Sequence, residues 1–201
     1  MAYRLYEFPG SGNCYKLRLL LTLLGQPFEG VVVNMMGGGT RTDAFLARNA
    51  NGKVPVLEIV PGEYLPESNA ALWYLADGTE YLPRDRLLRA RVLQWMFFEQ
   101  YSHEPNIATV RFWIRYLGRP ASHESRIARR MEAGYAALAV MDGHLSERDF
   151  FVADRYTISD IALYAYTHLA DEGGYDLAPY PAVRAWLDRV ASQPGHVPMA
   201  S

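Results

Sequence analysis

The sequence predicts an α/β domain followed by an all-helical domain. Residues 3–33 show a strand, a helix and a second strand, which together form a βαβ unit. Two short strands and a helix follow, and beyond residue 85 only helical periodicity is present. These observations predict a βαβ–ββα domain over residues 1–79, a linker at about 80–85 and a helical domain over 86–201.

Composition limits the class of protein. The 201 residues are enough for two small domains, and half of them are apolar, so each domain can bury a core. A net charge of -2 argues against nucleic acid as the main partner, because phosphate binding needs a concentrated positive field. The single cysteine, Cys14, cannot form an internal disulfide. Since the chain shows neither a signal peptide nor a membrane-spanning stretch, we expect a cytoplasmic protein without membrane association.

The βαβ unit has clear boundaries. An alternating apolar run over residues 3–8 predicts the first strand, and a β-branched run over 28–33 predicts the second. Between them, leucines spaced i, i+3, i+4, i+7 form one stripe of a helix, and Lys16 lies off this stripe. The helix ends at Gly25, and the crossover between the two parallel strands should be right-handed.

The second half of this domain begins with a loop. Three successive glycines, 37–39, predict a mobile connection, with a short helix at 43–48 inside it. A third strand should begin just after Pro55, because proline cannot donate to a sheet ladder. A Pro-Gly turn at 61–62 then predicts a hairpin, and Glu67-Ser68-Asn69 opens a helix.

Only helices are predicted from residue 85 onwards. A long helix over 85–117 is interrupted near Pro105, and a second long helix covers 122–145. Thr157-Ile158-Ser159-Asp160 forms a capping box, which is the strongest local signal in this half. A last helix is expected at about 180–191.

Ser11 is the first candidate functional residue. It follows a strand and a Gly-containing turn, at the start of a helix whose N–H groups and dipole provide positive potential. Serine is also a favoured N-cap residue, and the residues alone favour that structural role over a chemical one.

Four motifs resemble the cytosolic glutathione S-transferase superfamily, of the bacterial serine type, over essentially the whole chain. In order, they are Ser11-Gly-Asn-Cys-Tyr-Lys-Leu-Arg, Asn51-Gly-Lys-Val-Pro-Val-Leu, Glu67-Ser-Asn-Ala and the capping box at 157–160. The resemblance implies a thioredoxin-like glutathione-binding domain, an all-helical domain and a homodimer. Glutathione would be a co-substrate.

The resemblance gives Ser11 a chemical role. Free thiols have a pKa near ~8.5, so a thiol that reacts at neutral pH needs help to ionise. Ser11 would lower the pKa of the glutathione thiol without being a nucleophile itself. Asn13 resembles the asparagine that some bacterial members pair with a hydroxyl residue to reduce disulfides. Cys14 does not align with the cysteine of cysteine-type members, and burial as a small hydrophobe is the simpler explanation.

The resemblance also implies binding residues. A cis peptide bond at Val54-Pro55 would leave the Val54 backbone free to pair with the cysteinyl part of glutathione, as a strand edge pairs with a peptide. Ser68 would bind the γ-glutamyl carboxylate, and Glu67 would bind the ammonium group. Lys53 is a candidate for the glycyl carboxylate or a solvated lysine, and Arg41 is a weaker candidate for the same task.

The acceptor-substrate pocket is expected between the domains. Its candidate residues are Phe8, Tyr101, His103, Arg111 and Trp113. The five histidines lack metal-ligand spacing, so no metal is predicted. Neither a Walker loop nor a dinucleotide fingerprint is present, which argues against nucleotide binding.

These features favour a glutathione transferase that attacks an electrophilic small molecule. A glutathione-dependent disulfide reductase, suggested by Asn13, and a diketo-acid isomerase are alternative enzymes. A non-catalytic glutathione-binding or regulatory protein is the alternative from another class.

Overall fold

The computed structural model describes residues 2–199, which form two units. The first comprises residues 2–77 together with 194–199, and the second comprises 78–193. The predicted boundaries assign residues 194–199 to the helical domain instead. The structure places this segment with the first unit because the Tyr15 hydroxyl donates to the carbonyl of Val197 at 2.7 Å.

A four-stranded mixed sheet forms the centre of the first unit. Its strands are β1 (Tyr3–Glu7), β2 (Phe28–Val32), β3 (Val56–Val60) and β4 (Glu63–Pro66), arranged in the order β2-β1-β3-β4. The β1–β2 pair is parallel, while β3 runs antiparallel to both β1 and β4. The predicted α/β fold class, with the third strand starting directly after Pro55, is therefore confirmed.

Three helices complete the first unit: α1 (Gly12–Leu23), α2 (Asp43–Leu46) and α3 (Ser68–Ala76). Helix α1 packs against α3 and is buried around most of its circumference, well beyond the predicted leucine stripe. Its buried residues include Lys16, which lies off that stripe but is 0% exposed. A lysine buried this completely needs polar partners, which are described below.

The loop at residues 34–52, predicted as a mobile connection, contains a hydrogen-bonded turn around Asn34. The Gly37 N–H donates to Asn34 Oδ1 at 2.9 Å, and the Gly39 N–H donates to the Asn34 carbonyl at 2.8 Å. A Cβ atom at either glycine would collide with Asn34, and Gly38 adopts φ 81°. The glycines are therefore needed for a tight turn around Asn34.

The second unit is helical. Its α-helices are α4 (Arg86–Phe98), α5 (Glu104–Arg115), α6 (Glu124–Leu145), α7 (Ile158–Thr167) and α8 (Pro181–Ala191). Short 3₁₀ turns lie at Ala121–His123 and Ala170–Gly173 in this unit, and at Gly39–Arg41 in the first unit. A π-helical segment, Glu99–His103, joins α4 to α5 immediately before Pro105. The predicted interruption near Pro105 thus takes the form of a widened turn within a continuous helical path.

The predicted capping box is present at the start of α7. The Asp160 carboxylate accepts from the Thr157 N–H at 3.0 Å, as a capping box requires. It also accepts from the Phe151 N–H at 3.2 Å and from Trp186 Nε1 at 3.0 Å. One buried side chain therefore fixes the start of α7 and connects it to α8.

None of the helices in the described part of the chain is long and apolar enough to cross a membrane.

Candidate functional site

The strand register gathers the predicted site residues of the first unit at one end of the sheet. Tyr6 of β1 pairs with Val56 of β3, which in turn pairs with Pro66 of β4. The last residues of β1 and β4 therefore lie beside the first residue of β3. The segments that contain Ser11, Val54-Pro55 and Glu67-Ser68 all extend from this end of the sheet.

Ser11 is the N-cap of α1. It has extended backbone angles, and its Oγ accepts from the Cys14 N–H at 3.4 Å. The structural explanation of this serine is therefore correct, and it is compatible with the chemical one. Accepting the capping bond leaves the hydroxyl hydrogen available for donation to another group. The same hydroxyl thus faces the positive end of the α1 dipole and retains a donor for a thiolate.

An ion pair braces the turn that carries Ser11. Arg18 Nη2 donates to the Pro9 carbonyl at 2.9 Å, and Arg18 Nη1 lies 3.3 Å from Glu7 Oε2. Burial raises the pKa of Glu7, and the nearby guanidinium lowers it. Because the strand end, the turn and the helix are tied to one side chain, the position of Ser11 is fixed by more than its own cap.

Cys14 is buried in α1. Its Sγ accepts from the Phe8 N–H at 3.4 Å. Burial raises the pKa of the thiol to about 12, although the Phe8 N–H and the Ser11 hydroxyl both lower it. The thiol is therefore neutral at physiological pH and behaves as a small apolar side chain.

Asn13, predicted to act with Ser11 at the sulfur, and Ser68, predicted to bind the γ-glutamyl carboxylate, are in direct contact. The Ser68 hydroxyl donates to Asn13 Oδ1 at 3.3 Å. Lys16 Nζ donates to Ser68 Oγ at 3.3 Å and to Asn69 Oδ1 at 3.2 Å. These four residues, which we call the α1–α3 polar cluster, connect the start of α1 to the start of α3.

Lys16 and Asn69 are the two members of this cluster that were not predicted as site residues, and Lys16 is the buried one. Its position off the leucine stripe suggested nothing beyond an ordinary polar site. One signal was available: Leu19 and Leu23, three and seven positions after Lys16, lie on its side of α1, so the helix has apolar residues well outside a single stripe. A helix with that pattern is buried on several faces, and a lysine within it must be buried too.

Val54 and Pro55 are joined by a cis peptide bond, as the family resemblance implied. Within residues 2–199, neither the Val54 N–H nor its carbonyl makes a hydrogen bond. An extended peptide laid beside this residue can pair with both groups, in the manner of an added strand. The Val54 side chain packs inward, against the core formed by Tyr6, Val33, Phe45 and Val56.

Glu67 has a strained backbone, with φ 68° and ψ 110°. Such conformations cost about 1–3 kcal/mol in non-glycine residues and persist where the surroundings impose them. Its side chain makes no capping hydrogen bond with α3 and is exposed. The carboxylate is thus left for another partner, while Ser68 occupies the first position of α3, where helix N–H groups are unsatisfied.

Lys53 and Arg41 lie on the loop that leads to Val54. Lys53 is exposed, and its carbonyl accepts from Asn49 Nδ2 at 2.8 Å. Arg41 Nη1 donates to the Asn51 carbonyl at 3.3 Å, and its guanidinium lies against Gly52. Gly52 tolerates this approach because it has no Cβ, and the contact places a second cation next to Lys53 along the chain.

Three of the predicted acceptor-pocket residues are buried inside the helical unit. His103 Nε2 lies 2.9 Å from Thr167 Oγ1, and Arg111 Nη2 lies 2.7 Å from Glu172 Oε2. Trp113 is largely buried, with Arg126 Cζ 4.7 Å from its ring centre. These side chains are occupied by contacts within their own unit.

The other two acceptor candidates differ from these. Phe8 is half-buried at the end of β1, and Tyr101 is 89% exposed on the π-helical segment.

No group of three or more histidine, cysteine, aspartate or glutamate side chains in residues 2–199 is arranged to hold a metal ion.

Fold and site together define a protein with a thioredoxin-like first unit and a helical second unit. Residues 5–80 match the family model "Glutathione S-transferase, N-terminal domain", and residues 105–194 match "Glutathione S-transferase, C-terminal domain". The chain therefore belongs to the glutathione S-transferase family, as its motifs predicted.

Curated relatives extend over nearly the whole chain. Glutathione S-transferase 2 of Anopheles gambiae is 31% identical over 94% of this chain and 91% of its own. Maleylacetoacetate isomerase of Rhizobium meliloti is 32% identical over 92% and 89%. The disulfide-bond oxidoreductase YfcG of Escherichia coli is 28% identical over 93% and 89%.

Solved structures of bacterial glutathione S-transferases are more similar. That from Pseudomonas fluorescens Pf-5 is 53% identical, has a TM-score of 0.98 and covers 100% of both chains. A possible glutathione S-transferase from Rhodopseudomonas palustris is 50% identical, with a TM-score of 0.96 over 99% and 90% of the two chains. A second Pseudomonas fluorescens family member, solved with two glutathione molecules bound, is 27% identical, with a TM-score of 0.85 over 96% and 90%.

Proposed function

We propose that this enzyme is a glutathione transferase that ionises the glutathione thiol at Ser11 and directs it to an electrophilic small molecule. The observation that carries the proposal is the arrangement of three recognition features at one end of the sheet. They are the Ser11 cap, the unpaired backbone of Val54 and the Ser68 position at the start of α3.

Ionisation of the glutathione thiol requires a hydrogen-bond donor in a region of positive electrostatic potential. The Ser11 hydroxyl has a hydrogen to donate, and the N-terminus of α1 favours an anion. Together they stabilise the thiolate relative to the thiol, which lowers the pKa of bound glutathione. Cys14 takes no part, because its own thiol is neutral and buried.

The remaining parts of glutathione have matching partners in the first unit. Val54 pairs with the cysteinyl backbone, and Pro55 fixes the conformation that exposes it. Glu67 meets the γ-glutamyl ammonium, and Ser68 meets the neighbouring carboxylate. Lys53 binds the glycyl carboxylate, with Arg41 as the adjacent cation.

Phe8 in the first unit and Tyr101 in the second are each kept as separate candidates for contact with the acceptor substrate. His103, Arg111 and Trp113 are left out, because each is already engaged within the helical unit. The physiological electrophile would be selected by side chains with free surface.

Homodimer formation is part of the proposal. Phe97 on α4 is 68% exposed, and Leu87, further back on the same helix, is also exposed. Two separate exposed side chains do not define an apolar patch, so the dimer is proposed from the family resemblance. A cytoplasmic location accompanies this proposal. Light scattering tests the dimer, because a monomer of 22.7 kDa in solution would contradict it.

Two other reactions have support. Asn13 beside Ser11, together with the similarity to YfcG, favours a glutathione-dependent disulfide reductase. The similarity to maleylacetoacetate isomerase favours isomerisation of a diketo acid. The experiment below includes both.

Thermal unfolding with and without glutathione tests the site first. A ligand that binds only the folded state raises the melting temperature, so no shift at millimolar glutathione would reject the proposal. Turnover is then measured on the same preparation with an aryl halide, a mixed disulfide of glutathione and a diketo acid. Conjugation of the aryl halide supports the transferase, whereas turnover of only one of the other substrates assigns that reaction instead.

A further inference from the structure

The α1–α3 polar cluster contains a fully buried cation, Lys16, to which the proposed function assigns no role. Lys16 Nζ donates to Ser68 Oγ at 3.3 Å and to Asn69 Oδ1 at 3.2 Å. An ammonium group has donors and no acceptor. Ser68 Oγ therefore has to accept from Lys16.

This constraint sets the direction of the Ser68 hydroxyl. With one lone pair used by Lys16, the single hydroxyl hydrogen donates to a different acceptor, which is Asn13 Oδ1 at 3.3 Å. Because lysine can only donate, the two hydrogen bonds run in one direction, from Lys16 to Ser68 and from Ser68 to Asn13. Ser68 is held as a donor on the side away from Lys16.

A carboxylate is the ligand that best suits this arrangement. It is an acceptor only, so it can replace Asn13 Oδ1 as the partner of the Ser68 hydroxyl. It also gains from the unsatisfied N–H groups at the start of α3. The positive charge of Lys16, which is buried and therefore weakly screened, favours an anion at this position over a neutral group.

We propose that Lys16 is a positioning residue for the γ-glutamyl carboxylate of glutathione, acting through the Ser68 hydroxyl. Its ammonium group orients that hydroxyl and adds positive potential beneath the carboxylate. This inference rests on the proposed function, since it assumes that Ser68 receives that end of glutathione.

Two analogues of glutathione separate this role from a merely structural one. The first, 4-aminobutyryl-cysteinyl-glycine, lacks only the γ-glutamyl carboxylate. The second, the glycinamide form, lacks only the charge at the glycyl end. Calorimetric affinities give, for each protein variant, a preference for glutathione over each analogue.

In Lys16→Met the preference over the 4-aminobutyryl analogue should fall about tenfold or more, as expected when a charge-assisted interaction is lost. The preference over the glycinamide analogue should stay unchanged. Lys53→Met is the matched control, in which only the glycinamide preference should fall. An unchanged 4-aminobutyryl preference in Lys16→Met would overturn the inference.

Lysine labelling provides a test that needs no change at the site. The sequence contains only two lysines, Lys16 and Lys53, so ¹³C-lysine gives two Cε signals, which Lys53→Met assigns. The Lys16 signal should shift with glutathione and not with the 4-aminobutyryl analogue. Equal shifts with both ligands would contradict the inference.

If wild-type protein binds no glutathione at all, the proposed function fails. If glutathione binds and Lys16 does not distinguish it from the 4-aminobutyryl analogue, only this inference fails.

Discussion

The Ser11 hydroxyl caps α1 and is proposed to donate a hydrogen bond to the glutathione thiolate, and substitution separates the two roles. Ser11→Ala should raise the pKa of bound glutathione by about 1–2 units, because a hydrogen bond to a charged group contributes about 1.5–3 kcal/mol. Transfer at pH 7 should fall roughly 10–100-fold. The measurement is the pH dependence of kcat/KM with an aryl halide.

Loss of the helix cap has a separate and smaller effect, which is measured as a change in the free energy of unfolding. Loss of the Ser11 cap should cost about 1 kcal/mol of unfolding free energy. Ser11→Thr keeps both the cap and the hydroxyl, so its pH profile should stay near that of the wild type. An unshifted profile in Ser11→Ala would remove Ser11 from the chemistry and leave it as a cap.

Cys14 should be chemically silent in the folded protein. Burial raises the pKa of its thiol to about 12, and thiol reagents react with the thiolate. Native protein at pH 7.5 should therefore react with a chromogenic disulfide far more slowly than protein unfolded in guanidinium. Cys14→Ala should retain transferase activity at a stability cost of about 1 kcal/mol. Rapid labelling of native protein would instead reopen a redox role.

At the scale of elements, the buried Asp160 side chain connects three segments of the helical unit. Removing its carboxylate leaves the Thr157 and Phe151 N–H groups and Trp186 Nε1 without their partner. Asp160→Ala should therefore lower the unfolding free energy by roughly 3–5 kcal/mol. Asp188→Ala, an exposed aspartate on α8, is the control and should change it by less than about 0.5 kcal/mol. Urea denaturation measures both.

His144 on α6 makes stability depend on pH. Burial lowers its pKa, and Arg148 lowers it further, while the Phe151 carbonyl and the nearby carboxylates raise it. An unfolded histidine titrates near ~6.5, so below that pH the unfolded chain binds a proton more readily than the folded one. This part of the stability is therefore present above pH 6.5 and is lost as the pH falls.

The variant His144→Gln isolates this contribution, because every other titrating group stays the same. The difference in unfolding free energy, wild type minus variant, should be smaller at pH 5 than at pH 7.5. A difference that is constant across this range would show that His144 has the same pKa in both states.

Local signals predicted the elements well and the buried polar contacts poorly. The capping box at 157–160 was predictable because its residues are adjacent in sequence and contact each other. Pro55 marked the start of β3 for a similarly local reason. The turn around Asn34 was not predicted, since glycines permit both mobility and close packing, and the glycine run does not show that Asn34 accepts their N–H groups.

The site shows the same division. Ser11, Val54 and Ser68 were predicted from motifs as site residues, and the strand register places their segments at one end of the sheet. The contact between Lys16 and Ser68 joins residues 52 positions apart, and no periodicity reports it. The burial of His103 was equally hidden, because a histidine at a helical position is compatible with solvent, a pocket or a core.

On the scale of the whole molecule, the C-terminal segment stabilises the first unit. Tyr15 is almost fully buried and donates to the Val197 carbonyl at 2.7 Å, and its hydroxyl lies 3.3 Å from His196 Nε2. Tyr15→Phe should therefore lower the unfolding free energy by about 1 kcal/mol. Tyr74→Phe, at an exposed position on α3, is the control.

A double-mutant cycle shows whether the segment is responsible. In a chain truncated after residue 193, Tyr15→Phe should have little additional effect, because the acceptor has already been removed. Additive losses would mean that the hydroxyl stabilises the fold through some other group.

Because residues 194–199 pack with residues 2–77, the helical unit is topologically an insertion within the first unit. A fragment ending at residue 79 therefore lacks part of its own fold, with Tyr15 deprived of its acceptor and Leu23 of the neighbouring Gly195. Attempts to produce the glutathione-binding half alone should connect the missing segment through a short linker, or supply it in trans as a peptide.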